Sequence, residues 1–253
     1  MVKETGEIRA VGRNFEIIGA LRDLDGAGIT EISAYTGLPN STIHRHLSTL
    51  CSLGHVVKED DVYHLGLSFL NYGEYVQNRK QVYRLAKNKV REVAEETDER
   101  CQFLVEEYGK AVYVHVSTGR RAVQTDSQVG ERVYLHSTSI GWAILANLPE
   151  QRVNDIIDQW GLPKFTENTV TDREELFEGL AEVRETGVAF NKEENVEGLR
   201  SVGVPVMGAD GEVVGALSVS APTHRMKGKR YTEEIPNLLL GTANELELNL
   251  KYA

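Results

Sequence analysis

Apolar positions in the first quarter of the chain recur at helical spacing and then switch to alternation. In "GRNFEIIGALRDLD", Phe15, Ile18, Leu21 and Leu24 fall at three-residue steps, which predicts an amphipathic helix that stops at Gly26. A short second helix is expected in "TEISAYTG", with Thr30 as N-cap and Gly37 as terminator. Pro39 and Asn40 open a third helix that runs to Leu53 before Gly54 and carries Ile43, Leu47 and Leu50 on one stripe. In "HVVKEDDVYHLG", a tight turn at Asp60 and Asp61 separates Val56 and Val57 from Val62, Tyr63, His64 and Leu65, the pattern of a two-stranded hairpin. Three helices followed by a hairpin is the order of a winged helix-turn-helix.

The polar side of the third helix is unusual. Solvated helix faces favour Glu and Lys, which form helix readily. Here the positions opposite the stripe are Ser41, Thr42, His44, Arg45, Ser48 and Thr49, with no carboxylate. A helix that enters the major groove needs such a face, because Arg reaches guanine edges, hydroxyls contact bases or phosphates, and carboxylates are repelled. Arg45 is therefore the expected base contact, and the other five divide between base edges and phosphates. A polar helix packed on another domain is the alternative for the same face.

Beyond residue 73 the pattern changes twice. Residues 78 to 91 hold Arg79, Lys80, Arg84, Lys87, Lys89 and Arg91 and no acid, with Val82, Leu85, Lys89 and Val93 near a helical repeat. They predict a linker helix over 74–97, either leaning on DNA phosphates or simply solvated. From Cys101 the period becomes that of strands. A hairpin is expected around Tyr108 and Gly109, and a strand in "RVYLHST". Helices are expected in "IGWAILANL" and "EQRVNDIIDQWG", and another is opened by a capping box of Thr171 and Glu174. Strands in "SVGVPVMG" and "EVVGALSVSAP" precede a C-terminal helix. Interspersed hairpins and helices favour an α+β fold for 98–253 over a doubly wound parallel sheet.

Charge complicates the DNA reading. The chain has a net charge of −10, and acidic residues outnumber the basic Lys3, Arg9, Arg13, Arg22, Arg45 and Lys58 in its first 70 positions. A basic footprint is the usual electrostatic sign of nucleic-acid binding. One resolution is a source with a high-salt interior, as in a halophilic archaeon, where counterion release contributes little and an acidic surface aids solubility. Composition otherwise points to a soluble cytoplasmic protein: 41% of residues are hydrophobic, and no signal peptide or membrane-length apolar run is present. Cys51 and Cys101 stand far apart with no Cys/His ligand cluster, so neither a disulfide nor a metal site is expected.

Candidate chemistry in the second half is binding rather than catalysis. No GxSxG, GxxxxGK[ST] or HExxH pattern occurs. In "LHSTSIG", His136 stands beside Ser137 and Ser139 with no acidic orienter, whereas hydroxyls and amides at a helix N-terminus suit a small anion. Ser218 and Ser220 lie two apart on a strand and share a face.

The stretch "ITEISAYTGLPNSTIHRHLSTLCSLGHVV", with "YHLG" after it, resembles the DNA-binding domain of the IclR family of transcriptional regulators. "VGERVYLHSTSIGWAILANLP" and "GVAFNKEENVEGLRSVGVPVMGADGEVVGALSVSAP" are similar to that family's effector-binding domain. The resemblance implies a winged helix-turn-helix over 1–73, a linker helix and a GAF-like domain. It further implies dimers or tetramers that engage or release operator DNA when a small organic or sugar acid binds, with no cofactor. The implied pocket uses the loop after His136, the start of the helix at Ser139, Ile140 and Gly141, then Asn191, Ser201, Ser218 and Ser220. Ile140 and Trp142 replace the smaller and basic residues usual there, and Asn191 stands where an acid is common. Two other classes fit the same residues: an enzyme on a small carboxylate that uses His136, and a protein-docking module. If the acidic surface reflects a high-salt interior, the melting temperature should fall as KCl is lowered from molar to millimolar; an unchanged temperature would remove that explanation.

Overall fold

The structure, a computed structural model, describes residues 8–123 and 127–252, so Lys3 lies outside it. Contacts divide the chain into two units between Val76 and Gln77.

In the first unit, α1 (Arg9–Asp23), α2 (Ile29–Thr36) and α3 (Asn40–Ser52) precede a hairpin of β1 (Val56–Glu59) and β2 (Val62–Leu65). Ile17, Ala20 and Leu21 of α1 pack with Ile32, Ile43, Leu47, Leu50, Val56 and Tyr63. The stripe expected on α1 is therefore displaced: Phe15 is 66% exposed and Leu24 38%. The reason is helical geometry. Steps of three residues turn about 300°, so a run of them drifts around the helix, while Ile17, Ala20 and Leu21 combine steps of three and four and stay on one side. Gly28, not Thr30, caps α2; its N–H donates to Glu31 Oε2 at 2.8 Å, which places Thr30 inside the first turn. Gly37 ends α2 with φ 72°, a left-handed conformation that glycine adopts without a Cβ penalty.

The single helix expected over 74–97 is two, α4 (Ser68–Asn78) and α5 (Gln81–Thr97), broken where Lys80 is extended. α5 buries Val82, Tyr83, Ala86, Val90, Val93 and Ala94 in the second unit's core. Lys89 pairs with Glu92 and Glu245, both at 2.8 Å, and Arg84 donates to the Asn78 carbonyl. Part of the basic run thus serves this unit itself.

The second unit is built on strands β3 (Arg100–Glu107), β4 (Lys110–Thr118), β5 (Arg132–Val133), β6 (Ala189–Lys192), β7 (Leu199–Met207) and β8 (Val213–Pro222). They form one antiparallel sheet in the order β5-β4-β3-β8-β7-β6. α5 and α9 (Ile235–Tyr252) cover one face over Phe103, Val204, Leu217 and Val219. α6 (Ser139–Ala146), α7 (Glu150–Trp160) and α8 (Arg173–Thr186) cover the other over Leu104, Ala111 and Ala216. The fold is α+β. Alternation explains the layering, since Phe103 and Leu104, or Leu217 and Ala216, point to opposite faces. Of "RVYLHST" only Arg132 and Val133 are strand; Leu135–Ser137 form a 3-10 turn. The cap of α8 is Asp172 rather than Thr171, accepting from the Glu174 and Glu175 amides at 2.9 and 3.0 Å. Strand β6 was not among the expected elements, because four residues after Gly187 carry too little pattern to separate from loop. Among the described residues no helix is long and apolar enough to cross a membrane, and no group of acidic, His or Cys side chains could hold a metal.

The start of α6 tolerates no extra atom. A Cβ at Gly141 would overlap the Leu135 carbonyl. Gly to Ala inside a helix normally gains about 1 kcal/mol. Here Gly141→Ala is expected to cost more than about 2 kcal/mol, as overpacking does, readable as a lower urea midpoint; a raised midpoint would contradict this packing.

Candidate functional site

α3 presents Ser41, His44, Arg45, Ser48 and Thr49 to solvent, with Thr42 half-buried, over the buried stripe of Ile43, Leu47 and Leu50. Among the described residues the Arg45 guanidinium has no ion pair or side-chain hydrogen bond. Thr49 donates its hydroxyl to the Arg45 carbonyl at 3.1 Å, leaving its lone pairs outward. Beside them a groove of about 280 Å³ is lined by Arg13, Thr42, Arg45, His46 and Thr49. His46 Nδ1 and Asn14 Oδ1, 2.7 Å apart, tie α3 to α1, a contact that no sequence pattern marks. The wing tip is acidic: Asp60 and Asp61 are exposed, and only Lys58 pairs there, with Asp61 at 3.1 Å.

The second site lies between the sheet and the start of α6. Arg100 on β3 stands opposite Ser220 on β8, and Ser220 opposite Ser201 on β7. One rung along, Gln102 faces Ser218, and Ser218 faces Gly203. Gly203 has no side chain for a reason: a Cβ there would lie 2.7 Å from the Ser139 carbonyl carbon, so the helix start rests on β7. Ser139 and Ser201 share a hydroxyl contact of 2.7 Å. Helix geometry leaves the Ser139 and Ile140 amides without intrahelical acceptors.

A cleft of about 80 Å³ opens here, room for roughly two to three waters at liquid density. Six of the expected residues line it: Ser139, Ile140, Asn191, Ser201, Ser218 and Ser220. Two do not. His136 sits on the 3-10 turn, its Nε2–H directed at the Pro163 carbonyl at 3.0 Å between Tyr134 and Phe165; burial holds its pKa below the ordinary value, and it is neutral at pH 7. Gly141 donates its N–H to Thr138 Oγ1 and closes the helix start from behind. Arg100 and Gln102, which also line the cleft, were missed. Their signal was faint: Arg100 precedes the strand expected from Cys101, and Gln102 is one polar residue alternating with Cys101 and Phe103.

Asn191 holds the far wall. Its Nδ2 donates to the Ser137 carbonyl at 2.8 Å and to Glu194 Oε2 at 3.1 Å, and Tyr231 donates to its carbonyl at 3.0 Å. Burial pushes the Glu194 carboxyl up to about 7, against the Lys192 amide and charge that stabilise its anion.

Residues 10–60 match the IclR helix-turn-helix domain and residues 74–248 the family described as bacterial transcriptional regulator IclR C-terminal. The chain is 32% identical to the probable HTH-type transcriptional regulator ArcR of Halobacterium salinarum, over 99% of this chain and 97% of that one. It is equally 32% identical to the transcriptional regulator KdgR of Escherichia coli, over 99% and 95%. The chain belongs to the IclR family of transcriptional regulators. The Thermotoga maritima IclR structure superposes with a TM-score of 0.83 at 26% identity, covering 97% of this chain and all of that one. The two sites described above lie in the two parts of this IclR chain that the family matches cover, one in each.

Glu194 makes the stability of this IclR protein depend on pH. An unfolded glutamate ionises near 4.5, so between about 4.5 and 7 the folded chain keeps a proton that the unfolded chain releases. Stability therefore falls as pH rises through that window and levels off above it. Glu194→Gln removes this slope and should be more stable than the parent at pH 8 by on the order of 1 to 3 kcal/mol. Chemical unfolding at pH 5 and 8 reads it; a variant shifted equally at both would show that Glu194 does not titrate in this range.

Proposed function

We propose that this IclR-family regulator reads operator DNA through the exposed face of α3 and is controlled by a small organic or sugar acid bound in the cleft beside α6. The observation that carries the reading is the cleft itself, a set of buried and half-buried hydroxyls beside helix-start amides, with no nucleophile and base pair lining it among the described residues. In this reading residues 1–73 bind DNA, 74–97 connect and 98–253 sense the acid. Arg45 contacts a base edge, while Ser41, Thr42, His44, Ser48 and Thr49 share bases and phosphates. The acid's carboxylate lies at the Ser139 and Ile140 amides, and Ser201, Ser218 and Ser220 hold its polar atoms.

The protein acts in the cytoplasm as a dimer or tetramer, since two recognition helices on one face of B-DNA must match half-sites about 34 to 36 Å apart. The exposure of Leu67, Leu70, Tyr75 and, on α1, Phe15 in the first unit supports a second copy covering them. Ligand binding alters the spacing of the paired helices, with a coupling of about 1 to 3 kcal/mol. An enzymatic role for His136 finds no support, because its ring faces Pro163, Tyr134 and Phe165 rather than the cleft.

Fluorescence anisotropy on the chain's own upstream intergenic DNA, across KCl concentrations and with a panel of acids, tests the whole reading. Arg45→Ala should lose preference for operator over scrambled DNA while keeping its acid affinity. Ser218→Ala with Ser220→Ala should weaken acid binding about tenfold or more, the loss of one to two hydrogen bonds, and leave ligand-free DNA binding intact. Absence of specific DNA binding in every condition would favour a protein-docking module instead.

A further inference from the structure

Arg100 is a buried cation whose polar contacts among the described residues are all neutral. It is 6% exposed, and among the described residues no carboxylate pairs with it. Its Nε donates to Gln102 Oε1 at 2.9 Å and one terminal nitrogen to the Ser127 carbonyl at 2.6 Å, both neutral acceptors. The adjacent carboxylate, Glu99, is committed elsewhere: Arg225 grips both its oxygens at 2.8 and 2.9 Å. Glu131 acts on Arg100 only through space and accepts the Gln128 amide instead. A charge taken out of water without an ionic partner is costly. Burial correspondingly pulls the Arg100 pKa below its ordinary value.

The position of this charge in the cleft is informative. Arg100, Ser220 and Ser201 occupy one rung on three adjacent strands. Strands are spaced about 4.8 Å apart, so Arg100 and Ser201 stand about 10 Å apart through their backbones. The start of α6 rests over β7, at the Ser201 end. The cleft therefore has an anion-attracting group at each end, the α6 amides on one side and the Arg100 guanidinium on the other. Between them lie Ser218, Ser220 and Gln102, whose Nε2 donates to the two hydroxyls at 2.9 and 3.4 Å. No acidic residue lines the cleft among the described residues. Arg200 also borders it, but its guanidinium lies over the Tyr231 ring and 3.7 Å from Glu193.

We infer that the cleft selects a short hydroxylated acid with two anionic groups, one at the α6 amides and the second, a carboxylate or a phosphate, on Arg100. The inference rests on the effector reading above and narrows it, since a singly charged acid leaves Arg100 with no anionic partner among the described residues. Gln102 positions Arg100 by accepting from its Nε and donates its own amide N–H groups to the serines.

Calorimetry on the full chain tests it with matched acids: galactarate and 6-phosphogluconate, each with two anionic groups and called dianions below in that sense, against galactonate and gluconate, each with one. One dianion should bind at least about tenfold more tightly than its counterpart, and which one does identifies the second group. Arg100→Gln should weaken that dianion roughly thirtyfold or more, as loss of a buried ionic partner does, and change the monoanion by less than about threefold. Gln102→Glu supplies an internal countercharge, so it should raise the melting temperature and erase the dianion preference, a readout that survives if Arg100→Gln does not fold. Equal affinity for both classes, or equal loss of both in Arg100→Gln, overturns the inference while leaving the effector reading standing. Failure of every acid to bind a parent protein that still binds its operator overturns both.

Discussion

The start of α6 lies so close to β7 that no side chain fits between them, and the second unit is arranged around that approach. Gly203 removes the obstacle on the strand, and Gly141 removes the one against Leu135. The consequence is electrostatic as well as steric. A helix start carries unsatisfied N–H groups and a partial positive charge, and here it is pressed onto a sheet face bearing Ser201, Ser218 and Ser220 rather than Val and Leu. Polar groups in the interior are tolerated when each finds a partner. Thr138 caps the Gly141 amide, Ser139 meets Ser201, and Gln102 bridges Ser218 and Arg100.

The two faces of the same sheet show why the cleft occurs where it does. Under α5 and α9 the strands contribute Phe103, Val204, Leu217 and Val219, a continuous apolar layer. On the opposite face Leu104 and Ala216 continue that character only under α6, α7 and α8; two residues along β3 and β8 it gives way to Gln102 and Ser218. The apolar face secures the fold, which leaves the other face free to trade packing for hydrogen bonding at one end. In the first unit the division is simpler: a small core fixes α3 from below, and its outer side is left without carboxylates.

Much of this was legible in the sequence, and the exceptions have physical causes. The helix order, the Tyr108 and Gly109 turn and the α3 stripe follow from local rules, because glycine conformations and helical period act within a few residues. The α1 stripe failed because steps of three drift around a helix; the cap of α8 failed because Asp172, beside Thr171, takes the first-turn amides, and that of α2 because the helix starts earlier, with the Gly28 amide held by Glu31. Of the cleft, the serines two apart on β8 and the helix start at Ser139 were readable as motifs. Arg100 and Gln102 were not, since their role depends on strand register: Arg100 meets Ser220 only through pairing 120 positions away in the chain.

The sequence by itself determined the family, the order of elements in the first unit and the carboxylate-free face of α3, all of which are properties of short stretches. Only the tertiary structure decided that His136 turns away from the cleft, that α5 belongs to a core and that Arg100 is buried beside neutral partners. Burial and countercharge are set by what lies across the sheet, and no local pattern carries that information.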